Sequence, residues 1–154
     1  AFPEREASDK PSAAAQSLLS RYERPLRILL AEDHPINRLV VTAILAAIGA
    51  EIETATDGRE AVAAAARTRF DAILMDHLMP VMDGLAATLA IRRHEAENGL
   101  TPTAIIMLTA SALPSQVEMA ERAGCDAHLT KPVTPARLFE ALADVLETVR
   151  AGKS

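Results

Sequence analysis

The chain has 154 residues, 49% of them apolar but only 3% aromatic, and its 21 acidic and 16 basic side chains leave a net charge of −5. That length suits one domain with tails, built around a core of Ala, Leu, Ile and Val. The negative charge argues against non-specific binding to nucleic acid or anionic membranes, and the sole cysteine, Cys125, excludes an internal disulfide or a CxxC metal site.

Residues 1–24 mix Pro3, Pro11, charges, serines and an alanine run. They read as a flexible linker, with weak helical potential around Ala13 to Tyr22. From Leu26 the pattern becomes regular. Leu26 to Ala31 reads as a buried strand that delivers Glu32 and Asp33 at its end. Pro35 suits the first turn of a helix reaching about Ile48, with Gly49 as its stop. Ala50 to Ala55 is a second, alternating strand, and Asp57-Gly58 opens an alanine-rich helix to about Arg67. Phe70 to Met75 is a third strand, ending abruptly in Asp76. Pro80 and Gly84 break the chain into a loop before a helix from about Asp83 to Glu97. Thr103 to Leu108 is a fourth strand, with Thr109, Ala110 and Ser111 at its end. A helix from Pro114 to Ala123 stops at Gly124, beside Cys125, which reads as a small buried apolar residue. Asp126 to Leu129 is a short fifth strand, followed by Thr130, Lys131 and Pro132. The last helix runs from about Pro135 to Val149, with Thr134 as its N-cap.

Five strands alternating with five helices imply βαβ crossovers and one parallel sheet covered on both faces. The flavodoxin-like order 2-1-3-4-5 is the natural choice for this α/β chain. Strands one, three, four and five then carry Glu32-Asp33, Asp76, Thr109 and Lys131 at consecutive C-terminal ends, converging on one crevice. A lone Asp76 would be read as a turn cap; the company it keeps overturns that. Three carboxylates so placed repel one another unless a divalent cation neutralises them. An all-oxygen set with room for water suits Mg²⁺, with Mn²⁺ as a substitute. Lys131 and the Thr109 hydroxyl would face a tetrahedral anion beside it. That is equipment for phosphoryl transfer to a carboxylate.

The segments LLAEDHPINR (29–38), DAILMDHLMPVMDG (71–84), IIMLTAS (105–111) and HLTKPV (128–133) together resemble the response-regulator receiver domain of two-component phosphorelays, over about residues 26–149. The resemblance implies that Asp76 is the phosphoacceptor and that Asp33 and Asp76 ligate Mg²⁺, with Glu32 holding it through water. It further implies the His77 backbone carbonyl as a ligand, Lys131 as the partner of the phosphoryl group and Thr109 as the switch hydroxyl. His128 stands where the family usually has a switch Tyr or Phe, which introduces a titratable group there; the alternative is a strand-edge histidine without a signalling role. Leu78, two residues after the acceptor, offers no polar group to orient water, so autodephosphorylation is expected to be slow. On a helical wheel Asn37, Val40, Val41, Ile44, Leu45 and Ile48 share the core face of the first helix, leaving Ile36, Leu39 and Ala43 towards solvent. Receiver domains dock a histidine kinase or phosphotransfer partner with this helix, which makes that apolar stripe a candidate partner surface rather than scattered surface aliphatics.

Other functions fit less well. A haloacid-dehalogenase-type phosphatase needs a second Asp where Leu78 stands. The six glycines lie apart, so neither GxGxxG nor a P-loop can be drawn for a nucleotide or flavin binder. A degenerate receiver would have lost an acid or the lysine, and all are present. The reading is therefore a receiver at residues 25–150 that catalyses its own phosphorylation, preceded by a linker and followed by a tail at 151–154. Its resemblance to receivers of hybrid histidine kinases, with which the linker-like opening segment agrees, favours an origin in such a kinase. A stand-alone response regulator, or a receiver used mainly as a regulatory binding module, is the alternative. No apolar run approaches a membrane span and no signal-peptide pattern appears, so a cytoplasmic setting is expected, with the parent free to be membrane-anchored.

Overall fold

The computed structural model describes residues 24–153. The expected linker lies outside them except for Arg24, whose guanidinium grips Asp71 at 2.8 Å. Ten elements alternate along the chain: β1 (Arg27–Ala31), α1 (Pro35–Ala46), β2 (Glu51–Ala55), α2 (Gly58–Arg67), β3 (Ala72–Asp76), α3 (Gly84–Glu97), β4 (Ala104–Thr109), α4 (Pro114–Ala123), β5 (Ala127–Thr130) and α5 (Pro135–Lys153). The strands form one sheet in the order β2-β1-β3-β4-β5, every pair parallel. Both the topology and the element sequence agree with the expectation. The differences are at the ends: α1 stops at Ala46 rather than near Ile48, β3 includes Asp76 itself, and α5 continues to Lys153 instead of ending at Val149.

The two faces of the sheet separate the side chains by parity, as the period of two requires. Ile28, Leu30, Leu74, Ile106 and Leu108 pack with Val41 and Leu45 of α1 and Leu138 and Leu142 of α5. Leu29, Ala31, Ile73, Met75, Ile105 and Met107 pack with Ala61 and Ala64 of α2, Ala87 and Ile91 of α3 and Ala120 of α4. Because both faces are covered, the central strands carry unbroken apolar runs. The runs end where the carboxyl ends of the strands meet solvent, and there the polar side chains begin.

Caps secure the helices that border the crevice. Asp57 Oδ1 accepts from Glu60 N at 2.8 Å, and Asp83 Oδ1 accepts from Ala86 N at 2.8 Å. Thr134 accepts from Arg137 N at 3.4 Å, as the sequence suggested. Between β3 and α3 the loop makes a tight turn in which Met82 N donates to Pro80 O at 2.7 Å and Val81 takes φ 70°. A β-branched residue at positive φ is strained by about 1–3 kcal/mol. Val81 is exposed, so little burial offsets that strain. Val81→Gly is expected to stabilise the domain by about 1 kcal/mol, after allowing for the freer unfolded chain. Urea denaturation reads this as a higher midpoint at constant slope, and Val81→Ala, which keeps the strain, should show no such gain.

Candidate functional site

Register places the polar residues before any side chain is considered. Ala31 pairs with Met75, so Glu32 lies level with Asp76; Asp76 pairs with Leu108, so Thr109 stands one residue above it. Thr109 pairs with Thr130, which sets Lys131 one step further out. Backbone bonds extend the ladder past the strands: Glu32 N donates to Ala55 O at 2.9 Å, His77 N to Leu108 O at 2.9 Å and Lys131 N to Thr109 O at 2.7 Å. The Lys131–Pro132 peptide bond is cis.

Four of the expected side chains meet. Lys131 Nζ lies 2.9 Å from Asp76 Oδ1 and 3.0 Å from Glu32 Oε1. Glu32 is 1% exposed and its other oxygen accepts from His34 N at 3.1 Å. Carboxylate oxygens of Glu32, Asp33 and Asp76 all lie within 4.8 Å of one another, with Asp33 on the solvent side. Hard oxygen donors on one open side of a lysine fit a divalent cation that keeps part of its water. The His77 carbonyl accepts from Gly84 N at 2.8 Å, which leaves it a second lone pair.

Electrostatics follow from crowding three acids and one base into a buried corner. Burial pushes Asp76 up to about 7, the neighbouring Glu32 adding to the rise and Lys131 opposing it. Burial also acts against the Glu32 carboxylate, but its hydrogen bonds with Asp76, His34 N–H and Lys131 prevail and hold it below the ordinary range. Lys131 loses solvation too, yet its two carboxylate partners push it up. Without a cation, then, Asp76 holds its proton more firmly than Glu32 does. A divalent ion is what would make it a full carboxylate, and so a nucleophile, at neutral pH.

Thr109 is held within its own turn. It is buried, and its hydroxyl donates to Ser111 O at 2.9 Å while accepting from Ser111 N at 3.2 Å. With His77, Ser111 and the half-buried His128 it borders a cavity of about 10 Å³, the space of one water. On α1, Ile36 and Leu39 are 65% and 70% exposed and Ala43 also faces solvent. Val40, expected on the core face, is 46% exposed. It sits over the gap between α1 and the segment after β5, where Asn37, Val40, Lys131, Pro132 and Val133 line a groove of about 130 Å³. A helical wheel assumes that the sheet lies beneath every turn; here only Val41 and Leu45 are buried. Sequence reasoning also missed Arg38, whose guanidinium folds back on the loop after β1.

The sequence profile of the response regulator receiver domain matches residues 28–143. The chain belongs to that family. As a receiver domain it is 39% identical over 119 residues to the sensor protein GacS of Pseudomonas syringae pv. syringae, a match covering 77% of this chain but 13% of that protein. Among solved structures it resembles the receiver domain of sensor histidine kinase PA1611 from Pseudomonas aeruginosa PAO1, with 40% identity and a TM-score of 0.73 over 80% of this chain and 99% of that one. That structure has a magnesium ion coordinated in its active-site cleft. The receiver domain of Ssk1 from Saccharomyces cerevisiae, solved with the histidine phosphotransfer protein Ypd1, is 30% identical with a TM-score of 0.75, over 79% of this chain and 88% of that one. This receiver therefore spans a small part of the sensor protein it matches in sequence.

Proposed function

We propose that this receiver accepts a phosphoryl group from the phosphohistidine of a histidine kinase or phosphotransfer protein onto Asp76. The observation that carries the reading is Lys131 Nζ at 2.9 Å from Asp76 Oδ1, beside a cluster of three carboxylates. Glu32, Asp33 and Asp76, with the His77 carbonyl, would hold Mg²⁺, which would neutralise charge on the phosphoryl oxygens and favour the ionised nucleophile. An Asp76 oxygen attacks phosphorus as the phosphorus–nitrogen bond breaks, and the departing imidazole nitrogen keeps the electron pair. Lys131 is placed to pair with the transferred group, and Thr109 supplies a hydroxyl once it leaves Ser111. That turn of Thr109, with His128 following into the vacated space, is the switch: phosphorylation biases two arrangements of the β4–α4 region.

Incubating the protein with Mg²⁺ and a small acyl phosphate is expected to add one phosphoryl group by intact mass, in the wild type but not in Asp76→Ala or after chelation. A gain that persists in Asp76→Ala would overturn the assignment. Leu78 is exposed and apolar two residues beyond the acceptor, so nothing there positions an attacking water. Leu78→Asn should speed decay of the phosphorylated form by about tenfold; unchanged decay, followed by mass, would remove Leu78 from the account.

The setting we favour is the receiver of a hybrid histidine kinase, residues 25–150 forming the unit and 1–24 the linker from a catalytic core. The relative GacS, several times the length of this chain, supports it. A cytoplasmic location accords with that setting, and among the described residues no helix is long and apolar enough to cross a membrane. The exposed stripe of Ile36, Leu39 and Ala43, widened by Val40, lies on the helix beside the site mouth and offers the partner's helices an apolar seat.

A further inference from the structure

The loop that leaves β1 carries two of the three acids, yet α1 starts after it without the usual fastening. Its N-cap is His34, whose side chain makes no cap bond, and its first turn has no acidic residue. Ser, Thr, Asp or Asn would ordinarily secure such a start. Asp33 is exposed, so the direction of its carboxylate depends on how the backbone beneath it is held.

Arg38, one turn into the helix, does the holding. Its Nη1 donates to Glu32 O at 2.9 Å and to Asp33 O at 3.3 Å, bridging the two successive carbonyls. Its own backbone N–H donates to His34 O at 3.0 Å, and Thr42 Oγ1 donates to its carbonyl at 2.6 Å, so the side chain springs from a fixed turn. The side chain is half-buried along this path. A cation is otherwise out of place here. The N-terminal end of a helix is the positive end of its dipole, and a guanidinium this near the acid cluster repels any metal ion bound there.

We infer that Arg38 is a positioning residue for the divalent cation site: by drawing the Glu32 and Asp33 carbonyls to the α1 side, it turns both carboxylates toward Asp76. The inference rests on the reading above that these acids hold Mg²⁺. It also fixes a sign. If Arg38 acted only through its charge, removing it would tighten cation binding. If it positions the ligands, removing it weakens binding despite the lost repulsion. Changes to groups that orient metal ligands typically weaken binding about 10- to 100-fold, and here the lost repulsion keeps the effect near the lower end.

Calorimetric titration of the full chain with Mg²⁺ tests this on the wild type, Arg38→Ala, Arg38→Gln and Arg38→Lys, with metal-free thermal melts alongside. The expected result is a Kd raised about tenfold in Arg38→Ala, with Arg38→Lys recovering most of the affinity because its ammonium can reach the same carbonyls. Should Arg38→Ala fail to fold, Arg38→Gln carries the same expectation at smaller amplitude. A lower melting temperature with unchanged or tighter Mg²⁺ binding would make Arg38 a structural residue and overturn the inference. A wild type that does not bind Mg²⁺ at millimolar concentration would overturn the metal reading itself, and this inference with it.

Discussion

Gly84→Ala is expected to be among the most damaging single-methyl changes in this domain, lowering stability by about 3–5 kcal/mol, a large share of the 5–15 kcal/mol that holds a typical domain together. A Cβ on Gly84 would lie 2.3 Å from Asp76 O and 3.0 Å from both Asp76 C and His77 Cα. Those atoms are backbone, and they cannot move aside as a side-chain tip could. The same residue donates its N–H to His77 O at 2.8 Å, so relief means parting the first turn of α3 from the end of β3. Asp76 is carried on that strand end, and phosphorylation should fail along with stability. A second glycine pins the loop from its other side: a Cβ on Gly58 would lie 2.2 Å from Met82 O. Gly99 provides the contrast. It has φ +64° but nothing within 4 Å of an added Cβ, so Gly99→Ala should cost only about 1 kcal/mol, from the backbone alone. Urea denaturation of the two variants separates close approach from conformational freedom. If Gly84→Ala came within 1 kcal/mol of wild type, the tight packing of α3 on the acceptor strand would not be what fixes Asp76.

That contact illustrates what a sequence does and does not display. The strands were legible because both faces of the sheet are covered and the apolar runs are unbroken from Ile28 to Ala31 and from Ala72 to Met75. Glu32 and Asp76 were legible because each stands at the first polar position after such a run, Asp33 follows at once, and register sets Lys131, just past Thr130 at the end of β5, beside them. Asp57, Asp83 and Thr134 betray helix starts through chemistry that acts within three residues. What stayed hidden depends on the third dimension. Gly84 looks like punctuation until the backbone of Asp76 is found against it. Val40 has the periodicity of a core residue, but it borders the open groove beside the segment after β5 and stays largely exposed. Arg38 looks like a surface charge on an amphipathic helix, and only the path of the loop after β1 brings two carbonyls within its reach. The Thr109 hydroxyl was expected to face a tetrahedral anion beside the metal; in the metal-free protein it bonds Ser111, two residues away. Local backbone groups satisfy a serine or threonine easily, so pointing one at a distant site requires something there to attract it.

The second large effect concerns the Asp76 carboxylate. Asp76→Asn, which removes the proposed acceptor, is expected to stabilise the metal-free protein by about 2 kcal/mol at pH 8, several degrees in melting temperature. The folded protein holds Asp76 near pKa 7 against an ordinary 3.8, because burial and Glu32 disfavour its charge more than Lys131 favours it. An acid raised in this way contributes stability that is full below about pH 4 and is lost as pH rises through about 7. Asparagine has nothing to ionise, so its advantage over aspartate should be small at pH 4.5, grow through neutrality and level off above it. Three pH units in isolation would correspond to about 4 kcal/mol; sharing of the charge with Glu32 and Lys131 reduces this. Mg²⁺ should reverse the ranking by binding the ionised wild type and finding one ligand fewer in the variant. Its affinity for the wild type should therefore rise with pH up to about 7 and flatten beyond, as the proton it displaces from Asp76 disappears. Melting curves across that range, with chelator and with millimolar Mg²⁺, read both effects together. An Asp76→Asn advantage that did not vary with pH would mean that Asp76 is already ionised without metal. In that case its reactivity would owe nothing to the cation's hold on the proton, and the metal's role would be confined to the phosphoryl oxygens.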